Sequence, residues 1–312
     1  MVRNAKISTL SMKYHSLDPN RSFEEGVDDM ITYLRGEIDQ VLPDQPDLIV
    51  LPENCDMPIN FPKADRREFY KVRGNRILDW LSDVAKEHNC YIAYSATRYM
   101  GEDTWLNSTQ LIDRQGEIKG TYNKNFPTIG ENKSGILSGK DITVVDCDFG
   151  RVGLTICFDL NFEQIREKYA NAKPDVIVFS STYHGGMMQE YWAYSCRTHF
   201  VGSIGNKVHS PILSPVGQEI ASTTNYHTFV TTTVNLDCEV IHIDNHRKKF
   251  NEMKKKYGPK IKISDPGYLG AVLVSSETDE FSVEDLIKEY GLELVDDYFN
   301  RSIQSAKEHM ES

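Results

Sequence analysis

Three short apolar runs in this chain end in side chains that could act together on a carbonyl group. LIVLP runs into Glu53, GTYN into Lys124 and GLTI into Cys157. A thiolate is a strong nucleophile, a carboxylate can take the thiol proton and return it to a leaving amine, and an ammonium can face a tetrahedral oxyanion. Each residue is ordinary alone: a strand-end glutamate or lysine is usually solvated, and an isolated cysteine usually packs in a core. As a set they describe acyl transfer through a thioester, with no metal or organic cofactor needed. An unperturbed thiol, with a pKa of roughly 8.5, is mostly protonated at neutral pH. Cys157 is followed by Phe158-Asp159 and a helical segment, so helix-N-terminal amides are expected to favour its thiolate. The backbone N–H of Phe158 is expected to join Lys124 in an oxyanion hole, each donor contributing on the order of 3 kcal/mol in the transition state.

The elements that must position these groups read as an alternation of strands and helices. Strands are predicted at 5–12, 48–51, 141–147, 152–157, 175–181 and 228–236, and helices at 22–41, 75–88, 162–170 and 187–199. Hairpins are expected over 106–122, turning at Gln115-Gly116, and around Pro215-Val216-Gly217-Gln218. Residues 125–140 read as a long ordered loop. The fold class is α/β, a mixed sheet covered by helices, and in such folds sites collect at the carboxyl ends of strands. The last seventy or so residues change character, with a basic helix near 245–256, a Gly/Pro-containing stretch YGPKIKISDPGYLG and an acidic helical tail from Ser282. This divides the chain into a domain over 1–240 and a C-terminal extension over 241–312, expected to pack on the domain or on a partner subunit.

The motifs LIVLPENCDMP, TYNKNFPTIGEN and GLTICFDLNFEQIRE, in this order and approximate spacing, resemble the nitrilase superfamily of carbon–nitrogen hydrolases. DVIVFSSTY, the helix bearing Arg197 and ILSPVGQEIAS extend the resemblance over roughly residues 4–240. The resemblance implies a four-layer αββα sandwich and a Glu-Lys-Cys triad, here Glu53, Lys124 and Cys157. It also implies a second glutamate seven residues after the lysine, Glu131, which would hold Lys124 in place. A homodimer or higher homo-oligomer is implied as well. Several departures bear on the substrate. The cysteine motif lacks the arginine and proline common in the family, Arg197-Thr198-His199-Phe200 stands where Arg-Ala-x-Glu-Asn is common, and Asn125-Phe126 replaces His-Leu. Asp159 is similar to amidase and carbamoylase branches and disfavours nitrile hydrolysis. The expected activity is hydrolysis of a small linear amide or an N-carbamoyl compound, with acyl transfer to an amine, or an idle binding protein on the same fold, as alternatives. Thr182, Tyr183 and His184, after the strand that follows the nucleophile, are candidate substrate contacts.

Composition narrows the rest. The chain has 312 residues and a net charge of −11, so it repels phosphate backbones, and nucleic-acid binding is not expected. The clusters Arg247-Lys248-Lys249 and Lys254-Lys255-Lys256 read as a solvated helix face. No apolar run is long enough for a signal core or a membrane span. Six cysteines without metal-ligand spacing suit free thiols in a reducing cytoplasm. Cys55 and Tyr122 read as packing, Arg166 and Arg197 as ion-paired within the fold, and the sequons at Asn20, Asn107, Asn132 and Asn300 as background. Papain-like and G-x-S-x-G signatures are missing, and Gly135–Lys140 falls one residue short of a P-loop.

Overall fold

The computed structural model describes residues 3–310, and among these described residues fifteen strands and nine α-helices follow one another in an order set by short apolar runs and amphipathic helices. The first sheet is built from β1 (Asn4–Leu10), β2 (Leu48–Val50), β3 (Tyr91–Tyr99), β4 (Trp105–Ile112), β5 (Ile118–Asn123) and the late strand β12 (Phe229–Asn235), in the order β12-β1-β2-β3-β4-β5. The second holds β6 (Thr143–Asp146), β7 (Arg151–Ile156), β8 (Val176–Ser181), β9 (His199–Ile204), β10 (Pro211–Leu213) and β11 (Glu219–Ser222), in the order β11-β10-β9-β8-β7-β6. Each sheet has three parallel strands at its centre, β1-β2-β3 in one and β7-β8-β9 in the other, with antiparallel strands outside them. Parallel strands are buried on both faces, which is why LIV and VIVFSS contain no exposed position.

The two sheets face each other. Ile7, Val50, Ala93 and Tyr122 of the first share one apolar core with Leu154, Ile156, Val178 and Val201 of the second. Outside the first sheet lie α1 (Phe23–Ile38), α2 (Lys63–Arg73) and α3 (Arg76–Glu87), whose Met30, Leu34, Phe69 and Leu81 pack on Ile49 and Ile92. Outside the second lie α5 (Glu163–Ala172) and α6 (Met187–Cys196), where Tyr169 and Trp192 cover Ile177 and Phe200. The layers therefore run helix, sheet, sheet, helix. Helix α1 starts where Ser22 and Glu25 form a reciprocal capping box.

Several local expectations are corrected. The helix expected over 187–199 ends at Cys196, because Arg197 turns left-handed (φ 55°) and HFVGSI enters the sheet beside β8 as β9. Helix α2 escapes notice in the sequence because KADRREFYKVR is mostly charged and buries only Phe69, Tyr70 and Arg73. The 125–140 loop contains a short helix, α4 (Ile129–Lys133), opened by a Thr128–Glu131 capping box. The Gly/Pro-containing stretch carries β14 (Ile261–Ser264) and leads into β15 (Ala271–Ser276), which lies between β14 and β13 (Cys238–His242) in a third sheet. That sheet has its own core with α7 (Arg247–Tyr257) and α8 (Val283–Tyr290), including Ile241, Met253, Val274 and Leu286. The chain then runs through α9 (Val295–Met310), whose Asp296 pairs with Arg197 at 2.8 Å. Arg166 likewise pairs with Glu163, and the α7 cations are partly taken up by Glu289 and by backbone carbonyls.

A buried ion pair braces the segment after β2. Arg73 lies 2.5 Å from Asp56, which also accepts from Tyr94 Oη at 2.6 Å, and Arg73 donates to the Thr97 carbonyl at 2.6 Å. Replacing one member leaves the other charge stranded, a loss of about 3–5 kcal/mol. Arg73→Met is expected to lower unfolding stability by that amount in urea titration; an unchanged midpoint would show that Asp56 needs no partner.

Candidate active site

Each of the three strand-end residues sits one to three positions beyond its strand: Glu53 after β2, Lys124 after β5 and Cys157 after β7. The structure brings them together across the two sheets. Lys124 Nζ donates to Glu53 Oε1 at 2.8 Å and to both oxygens of Glu131 at 3.1 and 3.0 Å. Lys124 is 1% exposed and Glu53 2%, so the contacts are made away from bulk water. The Cys157 thiol lies 3.7 Å from Thr182 Oγ1, with the Glu53 carboxylate close enough to act on its ionisation. Thr182 also donates its backbone N–H to Glu53 Oε2 at 3.1 Å.

Local backbone sets these directions. Cys157 is held in the left-handed region (φ 47°) at the start of a 3-10 turn over Cys157–Asn161, a conformation costing about 1–3 kcal/mol for a residue with a Cβ. The turn lifts the thiol off the end of β7 toward the first sheet. The carbonyl of Lys124 accepts from Gly139 N at 2.8 Å, and a Cβ on Gly139 would lie 2.1 Å from the Asn123 carbonyl oxygen, so a glycine is needed there. Tyr14 Oη donates to the Glu53 carbonyl at 2.8 Å and fixes the glutamate's own backbone.

The electrostatics correct one expectation. Burial, followed by the neighbouring Glu53 carboxylate, pushes the Cys157 thiol up to about 11, with Lys124 opposing. The residue is followed by a 3-10 turn and α5 begins only at Glu163, so no long helix dipole is aimed at the sulfur. With Lys124 already between two carboxylates, a thiolate would add a second uncompensated negative charge. Burial works against the Lys124 charge, but Glu53, Cys157 and Glu131 outweigh it and hold the ammonium above its ordinary value. Burial would raise Glu131, yet Lys124, the Thr128 amide and Asn107 more than offset it and keep the carboxyl ionised.

Asn107 is the residue that sequence reasoning missed. Its Nδ2 donates to Glu53 at 2.7 Å and to Glu131 at 3.0 Å, bridging the two carboxylates that flank Lys124. In the sequence it is a sequon asparagine; in the structure it is 1% exposed in the middle of β4. The signal was there in Asn107-Ser108-Thr109-Gln110, a polar run inside a strand, which requires partners if the strand is buried. Tyr122 packs between the sheets as expected and also donates to Asp159 at 2.7 Å. Burial raises Asp159 to about 6, against that hydroxyl and the amides of Phe126 and Asn125.

The remaining candidates separate. Thr182 lies at the thiol. Tyr183 is close enough for Cys157 and Lys124 to act on its hydroxyl, which accepts from Asn161 Nδ2 at 2.9 Å. His184 turns to His209 at 3.3 Å, and His209 meets Glu219 at 2.9 Å. Burial and His209 lower the His184 pKa and favour the neutral ring. Phe158 is partly exposed and stacks edge-on against Phe162. Cys55 is fully buried and its thiol is pushed well up, chiefly by burial.

Residues 11–203 match the carbon-nitrogen hydrolase family. The chain belongs to that family. It is 24% identical over 210 residues to a deaminated glutathione amidase of Dictyostelium discoideum, a stretch covering 62% of this chain and 71% of that protein. It is 28% identical over 176 residues to a nitrilase of Pyrococcus abyssi, covering 55% and 63%. Among solved structures, an amidase from Nesterenkonia sp. superposes with a TM-score of 0.61 at 14% identity, over 80% of this chain and 95% of that one. A glutamate-to-glutamine variant of that amidase carries the acetamide moiety of fluoroacetamide covalently on its active-site cysteine.

Two measurements test this geometry in the present family member. The difference in ultraviolet thiolate absorbance between wild type and Cys157→Ser, followed against pH, should show ionisation near 11; a thiolate signal at neutral pH would contradict the burial argument. Asn107→Leu removes both bridging donors and should lower stability by about 1–3 kcal/mol in urea unfolding. An unchanged stability would show that the glutamates do not need the bridge.

Proposed function

We propose that this carbon–nitrogen hydrolase cleaves a small linear amide or N-carbamoyl compound through a thioester on Cys157. The observation that carries the reading is the meeting of the strand ends: Glu53 receives the Lys124 ammonium at 2.8 Å and the Thr182 N–H at 3.1 Å, and Thr182 Oγ1 lies 3.7 Å from the Cys157 sulfur. A thiol held up to about 11 is not a resident nucleophile, so its proton must leave as the carbon–sulfur bond forms. Glu53 takes that proton while sulfur attacks the carbonyl carbon. Negative charge moves to the carbonyl oxygen, where Lys124 and the Phe158 N–H receive it, each donor contributing about 3 kcal/mol to the transition state. Glu53 returns the proton to the nitrogen, and the C–N bond breaks with release of ammonia or an amine. Water then enters, Glu53 accepts its proton, hydroxide adds to the thioester, and the thiol leaves protonated. Glu131 and Asn107 position Lys124 and Glu53 and touch no substrate atom in this scheme. The deaminated glutathione amidase relative and the acetamide-loaded cysteine of the Nesterenkonia amidase support an amide, while the Pyrococcus relative bears the name nitrilase.

Ammonia release from primary amides, N-carbamoyl amino acids and an aliphatic nitrile tests the reading. Amide or carbamoyl turnover should disappear in Cys157→Ala, and Glu53→Gln should lower kcat by about 10²–10⁴ with an unchanged circular dichroism spectrum. Retained turnover in Cys157→Ala would overturn the mechanism, and a nitrile turned over as fast as the amides would overturn the substrate class.

A further inference from the structure

On the outer face of the first sheet, a cavity of about 320 Å³ lies between the turn that joins α2 to α3 and strands β3 and β4. Its charge is opposite to that of the molecule. The lining holds three cations, Lys71, Arg73 and Arg98, and no carboxylate, although the chain as a whole carries −11. Two of the three are taken: Arg73 is committed to Asp56 and the Thr97 carbonyl, and Lys71 pairs with Glu68 at 2.8 Å. Arg98 is not. It is half-buried, and among the described residues its guanidinium makes no hydrogen bond or ion pair. Burial, and then the neighbouring Arg73, push its pKa down, the direction expected of a cation without an anion.

A second group in the same wall lacks a partner. Gln110 stands opposite Tyr94 in the β3–β4 register, and Arg98 follows Tyr94 by four positions, so strand alternation puts all three side chains on one face. Tyr94 gives its hydroxyl proton to Asp56. Gln110 is 3% exposed, lines the cavity and makes no side-chain hydrogen bond among the described residues. Buried amides are nearly always paired, so this one calls for a partner from outside the chain. The third side of the cavity is a helix start. Gly74, at φ 48°, ends α2, and the N-cap of α3, Asn75, makes no side-chain cap bond. Asn75 and Leu78 line the cavity, so the first turn of α3 borders it, and the N–H groups of a first turn have no partner within the helix.

We infer that this cavity binds a phosphate group, as inorganic phosphate or as the monoester of a small metabolite, with Arg98 as its charge partner and Gln110 and the start of α3 as further donors. Donors from three separate elements surround a tetrahedral oxyanion, whereas a planar carboxylate is already matched by one guanidinium fork. None of Glu53, Lys124 and Cys157 belongs to the lining, so the site is distinct from the reacting groups and does not depend on the reaction proposed for them.

The test titrates inorganic phosphate and glycerol phosphate calorimetrically into wild type, Arg98→Gln and Gln110→Leu, with acetate at matched ionic strength as the comparison anion. Arg66→Gln, which removes a cation of α2 outside this lining, is the control. Phosphate should bind wild type and Arg66→Gln alike. Arg98→Gln should weaken binding by at least about tenfold, the effect of one charge-assisted bond, and Gln110→Leu by a smaller factor. Added phosphate should also raise the melting temperature of wild type and leave that of Arg98→Gln unmoved. Each protein is its own reference in that comparison, so a change in the variant's intrinsic stability does not enter. No phosphate binding by wild type, equal binding by wild type and Arg98→Gln, or acetate bound as tightly as phosphate overturns the proposal. Tighter binding of glycerol phosphate than of the free ion would assign the monoester as the occupant, and the reverse order would assign inorganic phosphate; either sustains the site.

Discussion

A buried ammonium constrains everything around it. Lys124 is 1% exposed, and an unpaired cation at that depth would be strongly disfavoured. Two carboxylates from different parts of the chain meet it, Glu53 from the end of β2 and Glu131 from α4. Two carboxylates at one nitrogen repel each other, and Asn107 relieves this by donating to both. Burial and the Glu53 carboxylate together push the adjacent Cys157 thiol up. Burial of one lysine therefore dictates the loop that returns Glu131 and the polar run in β4.

The two sheets are joined at the same end of the molecule by hydroxyls that would otherwise be stranded in the core. Thr9 donates to the Gly202 carbonyl at 2.6 Å, Ser203 to the Leu10 carbonyl at 2.7 Å, and Ser180 to the Leu51 carbonyl at 2.8 Å. Each links a central parallel strand, or the residue just after it, to the opposite sheet. Apolar packing alone is non-directional and would tolerate sliding. These bonds fix the register between sheets where Glu53 and Thr182 must meet Cys157. Among the described residues, no helix is long and apolar enough to cross a membrane.

Most of the regular elements are legible in the sequence, because LIVLP, GLTI and VIVFSS are apolar runs too short for helices and are bounded by polar turns. Helix α2 was not, since its charged residues give no apolar stripe and its buried Arg73 depends on Asp56. Strand β9 was read as the end of a helix because HFVGSI continues the apolar pattern of α6; only pairing with β8 and β10 makes it a strand. Asn107 was hidden behind a sequon, and its role depends on partners 54 and 24 positions away.

The sequence by itself determined which side chains stand at strand ends, since a strand's identity and its terminal residue are local properties of a few neighbouring positions. It also supplied the order of the elements and the charge of the molecule. The tertiary structure decided the burial of Cys157 close to Glu53 and the bridging of Glu53 and Glu131 by Asn107. Each of these depends on burial and on charges brought close by folding; the contact between Lys124 and Glu53 spans 71 positions. Solvent exclusion and electrostatic neighbours do not exist along an extended chain, so no pattern of residues could state them in advance.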